Sequence, residues 1–350
     1  MTIEFARFDM SAPDDMSGLA ATLDTIGPVT RLAVLAKVEG TATINDYSRG
    51  LALRAMTDCL AAQGVHADTE TQIVLSTGCE GIISPGGMLF FERTAGTTRF
   101  PGLALGMARS EPLTPQQLLA TDHARIAAQV TRAAIRTSGL DAADVALVLM
   151  KSPVLTHAAA VSLSPAHRAR ANSTALSRGV AALGIGLALG EIEDSEINDA
   201  AIAGRPDLYA RRGMVFSGTE TLRCEAIVLG NRPGFALALH CGTIADLIDL
   251  DALASVLAPD AVDPLTQVRL MAKSGRIAGA FFKAGARPDG RIRGQRTTLF
   301  SSELDSDKHL RAAASGVLGA LLGDARTFIS GGAEHQAAPG GAVFAALVTE

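Results

Sequence analysis

Three lysines close strand-like apolar runs in this 350-residue chain: Lys37 ends Arg31-Leu-Ala-Val-Leu-Ala-Lys37, Lys151 ends Val145-Ala-Leu-Val-Leu-Met-Lys151, and Lys283 ends Ile277-Ala-Gly-Ala-Phe-Phe-Lys283. Each run is followed downstream by a small polar turn, Ser76-Thr-Gly-Cys-Glu80, Phe216-Ser-Gly-Thr-Glu220 or Ser330-Gly-Gly-Ala-Glu334, and all three turns share Gly-x-Glu. A single lysine at a strand end usually buries its stem and sends its ammonium to water. Three at equivalent places of a repeat point instead to one shared cavity. Like charges at close range and partial burial both disfavour the ammonium form, and a neutral lysine can take the proton of a serine hydroxyl. The candidate catalytic groups are therefore Lys37 with Ser76, Lys283 with Ser330, and Lys151 with Ser217, the last serine standing one residue late in its turn.

Glycine after a strand lets backbone N–H groups approach a ligand. Thr77, Gly78, Gly218 and Gly331 are accordingly read as ligand contacts, with Phe216 as an apolar one. Between lysine and turn, two units carry Ser-Arg-Gly at the head of an Ala/Leu-rich helix, Ser48-Arg49-Gly50 and Ser177-Arg178-Gly179. The third unit reads Ser306-Asp-Lys308 there, which places Lys308 where the others have Arg49 and Arg178. Glu80, Glu220 and Glu334 are expected to hold a neighbouring lysine or arginine by a buried ion pair.

The period of more than a hundred residues is too long for a solenoid unit. It predicts three similar α/β domains, over 1–105, 110–242 and 246–350, in a pseudo-threefold arrangement around one central active site. The nearly continuous apolar lysine strands suit strands covered on both faces. Thr114 and Pro115 read as the cap and first residue of a helix opening the second domain, and an acidic helix is expected from Ile244 to Leu257. Gly184 and Gly186 read as the close-packing face of a helix. The loops Ser84-Pro-Gly-Gly and Ala338-Pro-Gly-Gly lie just past the polar turns, where an α/β unit carries ligand contacts.

Composition removes several classes of function. The net charge is −5, aromatic residues make up 4% and tryptophan is absent, which disfavours both a phosphate-backbone reader and a base-stacking platform. The apolar stretches from Gly179 to Gly190 and from Gly316 to Gly323 are too short for a bilayer span. Glu4, Arg7 and Asp9 interrupt the start of the chain, so a cytoplasmic protein is expected. Cys59, Cys79, Cys224 and Cys241 show neither disulfide nor zinc spacing. His66, His123, His157, His167, His240 and His309 show no metal-ligand spacing, and His335 is placed behind the site at most. Neither a P-loop nor a dinucleotide fingerprint is present, and no cofactor is expected.

At this point the chain resembles the cyanuric acid hydrolase and barbiturase family of ring-opening amidohydrolases. The segments that carry the likeness run from Lys37-Val-Glu-Gly and Asn45-Asp-Tyr-Ser-Arg49 to Ser330-Gly-Gly-Ala-Glu-His-Gln336. The resemblance implies one active site on a pseudo-threefold axis, assembly as a homotetramer, and a Ser-Lys pair with an arginine from each domain, the middle pair acting as nucleophile and base. Lys37 with Ser76 and Lys283 with Ser330 match as pairs, whereas the middle serine position holds Phe216. Gly285 stands where the family carries a glutamate associated with a structural metal.

The expected activity is opening of a cyclic amide or imide ring, less symmetric than cyanurate, by a Ser-Lys pair, with Lys151 and Ser217 first in line and Lys37 and Ser76 as the substitute. Alternatives are a non-hydrolytic relative that binds a small carbonyl-rich or anionic ligand, and a lysine-based lyase or transferase. The expected partner is a small molecule, not nucleic acid or a membrane.

Overall fold

The computed structural model describes residues 3–65, 69–94, 102–233 and 236–349. In the first unit, strands β1 (Glu4–Asp9), β2 (Val29–Val38), β3 (Glu70–Thr77) and β4 (Gly86–Arg93) alternate with helices α1 (Ser17–Ile26) and α2 (Ser48–Ala62). The second contains β5 (Leu103–Arg109), α3 (Thr121–Ser138), β6 (Val145–Pro153), α4 (His157–Ala160), α5 (Pro165–Ala171), α6 (Thr174–Ala188), α7 (Asp199–Gly204), β7 (Gly213–Gly218) and β8 (Glu225–Asn231). The third contains β9 (Leu237–Ile244), α8 (Leu250–Leu257), α9 (Pro264–Lys273), β10 (Ile277–Ala284), the short pair β11 (Arg291–Ile292) and β12 (Gln295–Arg296), α10 (Ser306–Leu322), β13 (Phe328–Gly331) and β14 (Ala342–Thr349).

Each unit builds a four-stranded sheet of the same order: β1-β4-β2-β3, β5-β8-β6-β7 and β9-β14-β10-β13. In all three the lysine strand runs parallel to the turn strand and antiparallel to its other neighbour. Such a parallel pair needs a crossover, supplied by the helix that carries the arginine. One face of every sheet enters a common core in which Leu35, Phe90, Leu149, Phe216, Phe281 and Phe328 are buried together. The opposite faces are covered by each unit's own helices. Burial on both sides explains why the lysine strands read as continuous apolar runs rather than alternating ones.

Sheet membership moves the unit boundaries from those expected. Leu103–Arg109 pairs with β8 and Leu237–Ile244 with β14, so each strand opens the following unit instead of closing the preceding one. The continuous register of these antiparallel pairs cannot be seen from composition shifts along the chain. Residues 244–249 likewise finish β9 and turn before the acidic helix, which is confined to Leu250–Leu257. Thr114 does not cap a helix. It forms a turn closed by Gln117, whose side chain accepts from the Thr114 N–H at 2.9 Å, and α3 starts at Thr121.

Gly184 sits where α6 meets α3: a Cβ there would lie 2.2 Å from the Ala124 carbonyl, so only glycine permits that approach. The four cysteines are free thiols. No helix among the described residues is long and apolar enough to cross a membrane.

Candidate active site

Strand register positions the lysines. In the parallel pair β2/β3, Lys37 lies beside Ser76, and in β10/β13 Lys283 lies beside Ser330. The Lys37 Nζ is 3.2 Å from the Ser76 Oγ and donates to the Thr77 carbonyl at 3.1 Å. The Lys283 Nζ is 2.9 Å from the Ser330 Oγ and donates to the Gly331 carbonyl at 2.6 Å. Two lysine–serine pairs are therefore built alike.

The third is not. In β6/β7 the residue beside Lys151 is Phe216, and Ser217 lies beside Ser152. Successive side chains of a strand face opposite ways. Ser217 accordingly donates to the Thr174 carbonyl at 3.0 Å, and the expected pairing of Lys151 with Ser217 does not form. Lys151 instead donates to the Leu75 carbonyl at 3.1 Å and forms an ion pair with Glu220. Phe216 packs edge-on against Phe328 at 5.3 Å between ring centroids, and the Lys283 Nζ stands 5.1 Å from the Phe216 ring centroid.

The three polar turns are joined in a cycle of arginine–glutamate pairs. Arg49 of the first unit lies 3.6 Å from Glu220 of the second. Arg178 of the second binds Glu334 of the third through two 2.8 Å hydrogen bonds. Arg311 of the third binds Glu80 of the first at 2.6 and 2.7 Å. The third arginine is thus Arg311, and Lys308, expected in that place, lies about one turn earlier on α10. Lys308 still lines the cavity described below. Bidentate pairing suits guanidinium and not ammonium, which favours arginine at this position.

The Gly-x-Glu glycines make room for these pairs. A Cβ on Gly78 (φ +96°) would come within 2.9 Å of the Arg311 guanidinium, and one on Gly218 within 1.9 Å of the Glu220 carboxylate. Neither glycine lines the cavity, so the expected ligand contacts at Gly78 and Gly218 give way to a packing role, whereas Thr77, Phe216 and Gly331 do line it.

That cavity, of about 250 Å³, draws walls from all three units: Ser76, Ser330, Phe216, Arg49, Arg178 and Arg311 among them. Lys37, Lys151 and Lys283 are almost fully buried, with relative exposures of 2%, 2% and 1%. Burial lowers all three amines. Lys37 falls to about 7, with the Arg311 charge adding to the effect. Lys283 is pushed well below the usual range by burial and by Arg178. Burial also lowers Lys151, although Glu220 opposes it. Burial works against ionisation of Glu220, yet Lys151 and Arg49 hold it below the ordinary range. A larger cleft of about 630 Å³ between the first two units reaches Lys151 and Glu220 from behind but none of the serines.

The depressed Lys37 makes a stability prediction. The folded chain binds fewer protons than the unfolded one between pH 7 and the ordinary lysine value, so Lys37 costs stability in full below about 7 and the cost fades as pH rises. Lys37→Met should therefore gain stability relative to wild type by a few kcal/mol more at pH 6 than at pH 9.5, in order of magnitude. Denaturant unfolding at the two pH values measures the difference, and a pH-independent difference would contradict a buried neutral amine.

The histidines behave as structural groups. His123 is fully buried, its Nε2 lies 3.1 Å from the Ser152 Oγ, and burial lowers it to about 4. His335 holds the Leu208 carbonyl at 2.6 Å, tying the third unit to the second. His157, His167, His240 and His309 do not line the cavity, and His66 lies outside the described residues. Nor do the loops at Ser84 and Ala338. Gly285 has no side chain to offer a metal, and a Cβ there would meet the Ala333 backbone nitrogen at 3.1 Å. Among the described residues no three His, Cys, Asp or Glu side chains converge.

The profile of a family described as amidohydrolase ring-opening protein matches residues 4–349. The chain belongs to the ring-opening amidohydrolases. A cyanuric acid amidohydrolase of Azorhizobium caulinodans is 36% identical over 354 residues, covering 97% of this chain and 96% of that protein. The crystal structure of a cyanuric acid hydrolase from A. caulinodans superposes with a TM-score of 0.86 at 34% identity, covering 100% of this chain and 99% of the other. A second cyanuric acid hydrolase structure, described as evolutionary innovation by structural concatenation, gives 0.89 at 28% identity with coverage of 100% and 99%. This ring-opening amidohydrolase shares that overall fold while placing phenylalanine beside its middle lysine.

Proposed function

We propose that the protein hydrolyses a cyclic imide with one apolar edge, using Ser76 as nucleophile and Lys37 as its base. The observation that carries this reading is the cavity itself: two lysine-paired serines and three arginines face one space, and Phe216 closes the corner beside Lys151. Lys37 is the better-matched base, because an amine lowered to about 7 has a large neutral fraction near neutral pH and still takes a proton readily.

In this mechanism the Ser76 Oγ attacks a ring carbonyl carbon while its proton passes to the Lys37 Nζ. Arg49, Arg178 and Arg311, held by their glutamates, donate to the carbonyl oxygens and stabilise the developing negative charge. The Lys37 ammonium returns a proton to the ring nitrogen as the C–N bond breaks, which leaves an acyl-serine on an opened chain. Lys37, neutral again, activates a water that releases the carboxylate product and restores Ser76.

An apolar wall at Phe216 disfavours a ring with three like carbonyls, since a carbonyl placed there loses its hydrogen-bond donor. Assays with glutarimide, barbituric acid and cyanuric acid test the reading: hydrolysis of an imide with a carbon edge should exceed that of cyanuric acid. Phe216→Ser, which restores a third hydroxyl beside Lys151, should shift the preference toward cyanuric acid by at least about 10-fold. Thermal stabilisation by these rings without turnover of any of them would favour a binding protein over a hydrolase.

A further inference from the structure

The third unit lines the cavity with three charged side chains that the other units do not repeat, Asp305, Asp307 and Lys308, and of these Asp307 packs against the Ser330 turn. Four residues before the cycle arginine stands Asn45 in the first unit, Thr174 in the second and Asp307 in the third. Asp307 lines the cavity in the first turn of α10, where the backbone of the helix start favours a carboxylate. Its side chain packs against Gly331: a Cβ built there would lie 2.8 Å from the Asp307 Cβ and 3.1 Å from its Cγ. That places it beside the pair formed by Ser330 and Lys283.

Its nearest cation is Arg178, 3.6 Å from the Asp307 Oδ2, which is an ion pair rather than a hydrogen bond. The Nε and Nη2 of Arg178 are committed to Glu334. Burial raises the carboxyl above the usual range, Glu334 and Asp305 add to this, and Arg178 and Lys283 oppose it. With 30% of its side chain exposed and no side-chain hydrogen bond from the described residues, the Asp307 carboxylate is open to accept one from a ligand in the cavity.

Building on the proposed imide hydrolysis, we infer that Asp307 is a specificity-determining residue that accepts a hydrogen bond from the ring N–H of the substrate, while Arg178 beside it donates to the adjoining carbonyl. A donor and an acceptor side by side match the two groups along one edge of a cyclic imide. The three corners of the cavity then differ in kind: an attacking serine at Ser76, an apolar wall at Phe216, and an imide-reading pair at Arg178 and Asp307. The ligand class is a ring with at least one unsubstituted imide nitrogen.

Glutarimide and N-methylglutarimide differ only at that nitrogen and are suitable probes, measured by calorimetric binding and by KM and kcat for wild type, Asp307→Ala and Asp307→Asn. Wild type should prefer the N–H ring by at least 10-fold. Asp307→Ala should reduce that preference by about 10-fold through KM with a smaller change in kcat, and Asp307→Asn, which keeps an acceptor oxygen, should retain much of it.

An unchanged preference in folded Asp307→Ala would overturn the assignment, as would equal wild-type binding of the two rings or binding of neither. Binding with the expected preference but no turnover would sink the hydrolase reading and leave the role of Asp307 standing. Circular dichroism on both variants separates loss of fold from loss of recognition.

Discussion

Ser76→Ala should lower kcat/KM for imide opening by at least about 10³-fold, because removing the attacking hydroxyl leaves only binding and electrostatic stabilisation. The same change at Ser330 removes a hydroxyl that orients a ring without attacking it, and should cost only about 10-fold, the worth of one hydrogen bond. Ser217→Ala should cost less still, since the Ser217 hydroxyl is turned to the Thr174 carbonyl. The pH profile follows from the base. Lys37 acts only when neutral, so kcat/KM should fall about tenfold per pH unit below about 7 and level off above it. Lys37→Arg should abolish the reaction at every accessible pH, because a guanidinium keeps its proton. Equal losses at Ser76 and Ser330 would deny the two pairs their separate roles.

Glu220→Ala should be the most destabilising change in the arginine–glutamate cycle, by about 3–5 kcal/mol. Glu220 alone of the three glutamates faces two cations, Lys151 and Arg49, and its side chain is only 8% exposed. Removing it leaves both cations buried with only backbone carbonyls and no carboxylate to pair with. Glu334 is 35% exposed and Glu80 21%, so water can repay part of the loss when either is replaced. Adding Lys151→Met to Glu220→Ala should recover part of the stability, since one of the stranded charges is then gone. Urea unfolding of the single and double variants measures this. A Glu220 variant no weaker than its Glu334 counterpart would show that the buried triad is not the main tie between the first two units.

Much of this was legible in the residues themselves. The recurrence of Lys37, Lys151 and Lys283, each with a later Gly-x-Glu turn, revealed three like units, because a parallel lysine strand buried on both faces needs a continuous apolar run. The match of Lys37 to Ser76 and of Lys283 to Ser330 followed from the same alignment. What stayed hidden depended on register and on contacts between units.

Ser217 lines the cavity next to Phe216, yet its hydroxyl is held by the Thr174 carbonyl, and only the pairing of β6 with β7 shows that Phe216 and not Ser217 sits beside Lys151. Arg311 escaped notice because the third unit lacks the Ser-Arg-Gly signature. Its signal was the helix phase of Arg311, three residues before the buried Ala314, which parallels Arg49 three residues before the buried Ala52. Asp307 carried no repeat signal at all, since the equivalent positions hold Asn45 and Thr174 and no two units agree there. The sheet membership of Leu103–Arg109 and Leu237–Ile244 has no local signal, because these strands bond to partners about a hundred residues onward.

The central claim is that Ser76, activated by Lys37, becomes covalently acylated by the opened ring. Rapid acid quench of the enzyme turning over glutarimide, followed by peptide mass mapping, tests it directly. The account predicts an adduct of one ring mass on the peptide that carries Ser76, absent from Lys37→Met. An adduct on Ser330 or Ser217 instead, or turnover with no adduct on any serine at the shortest times, would contradict it.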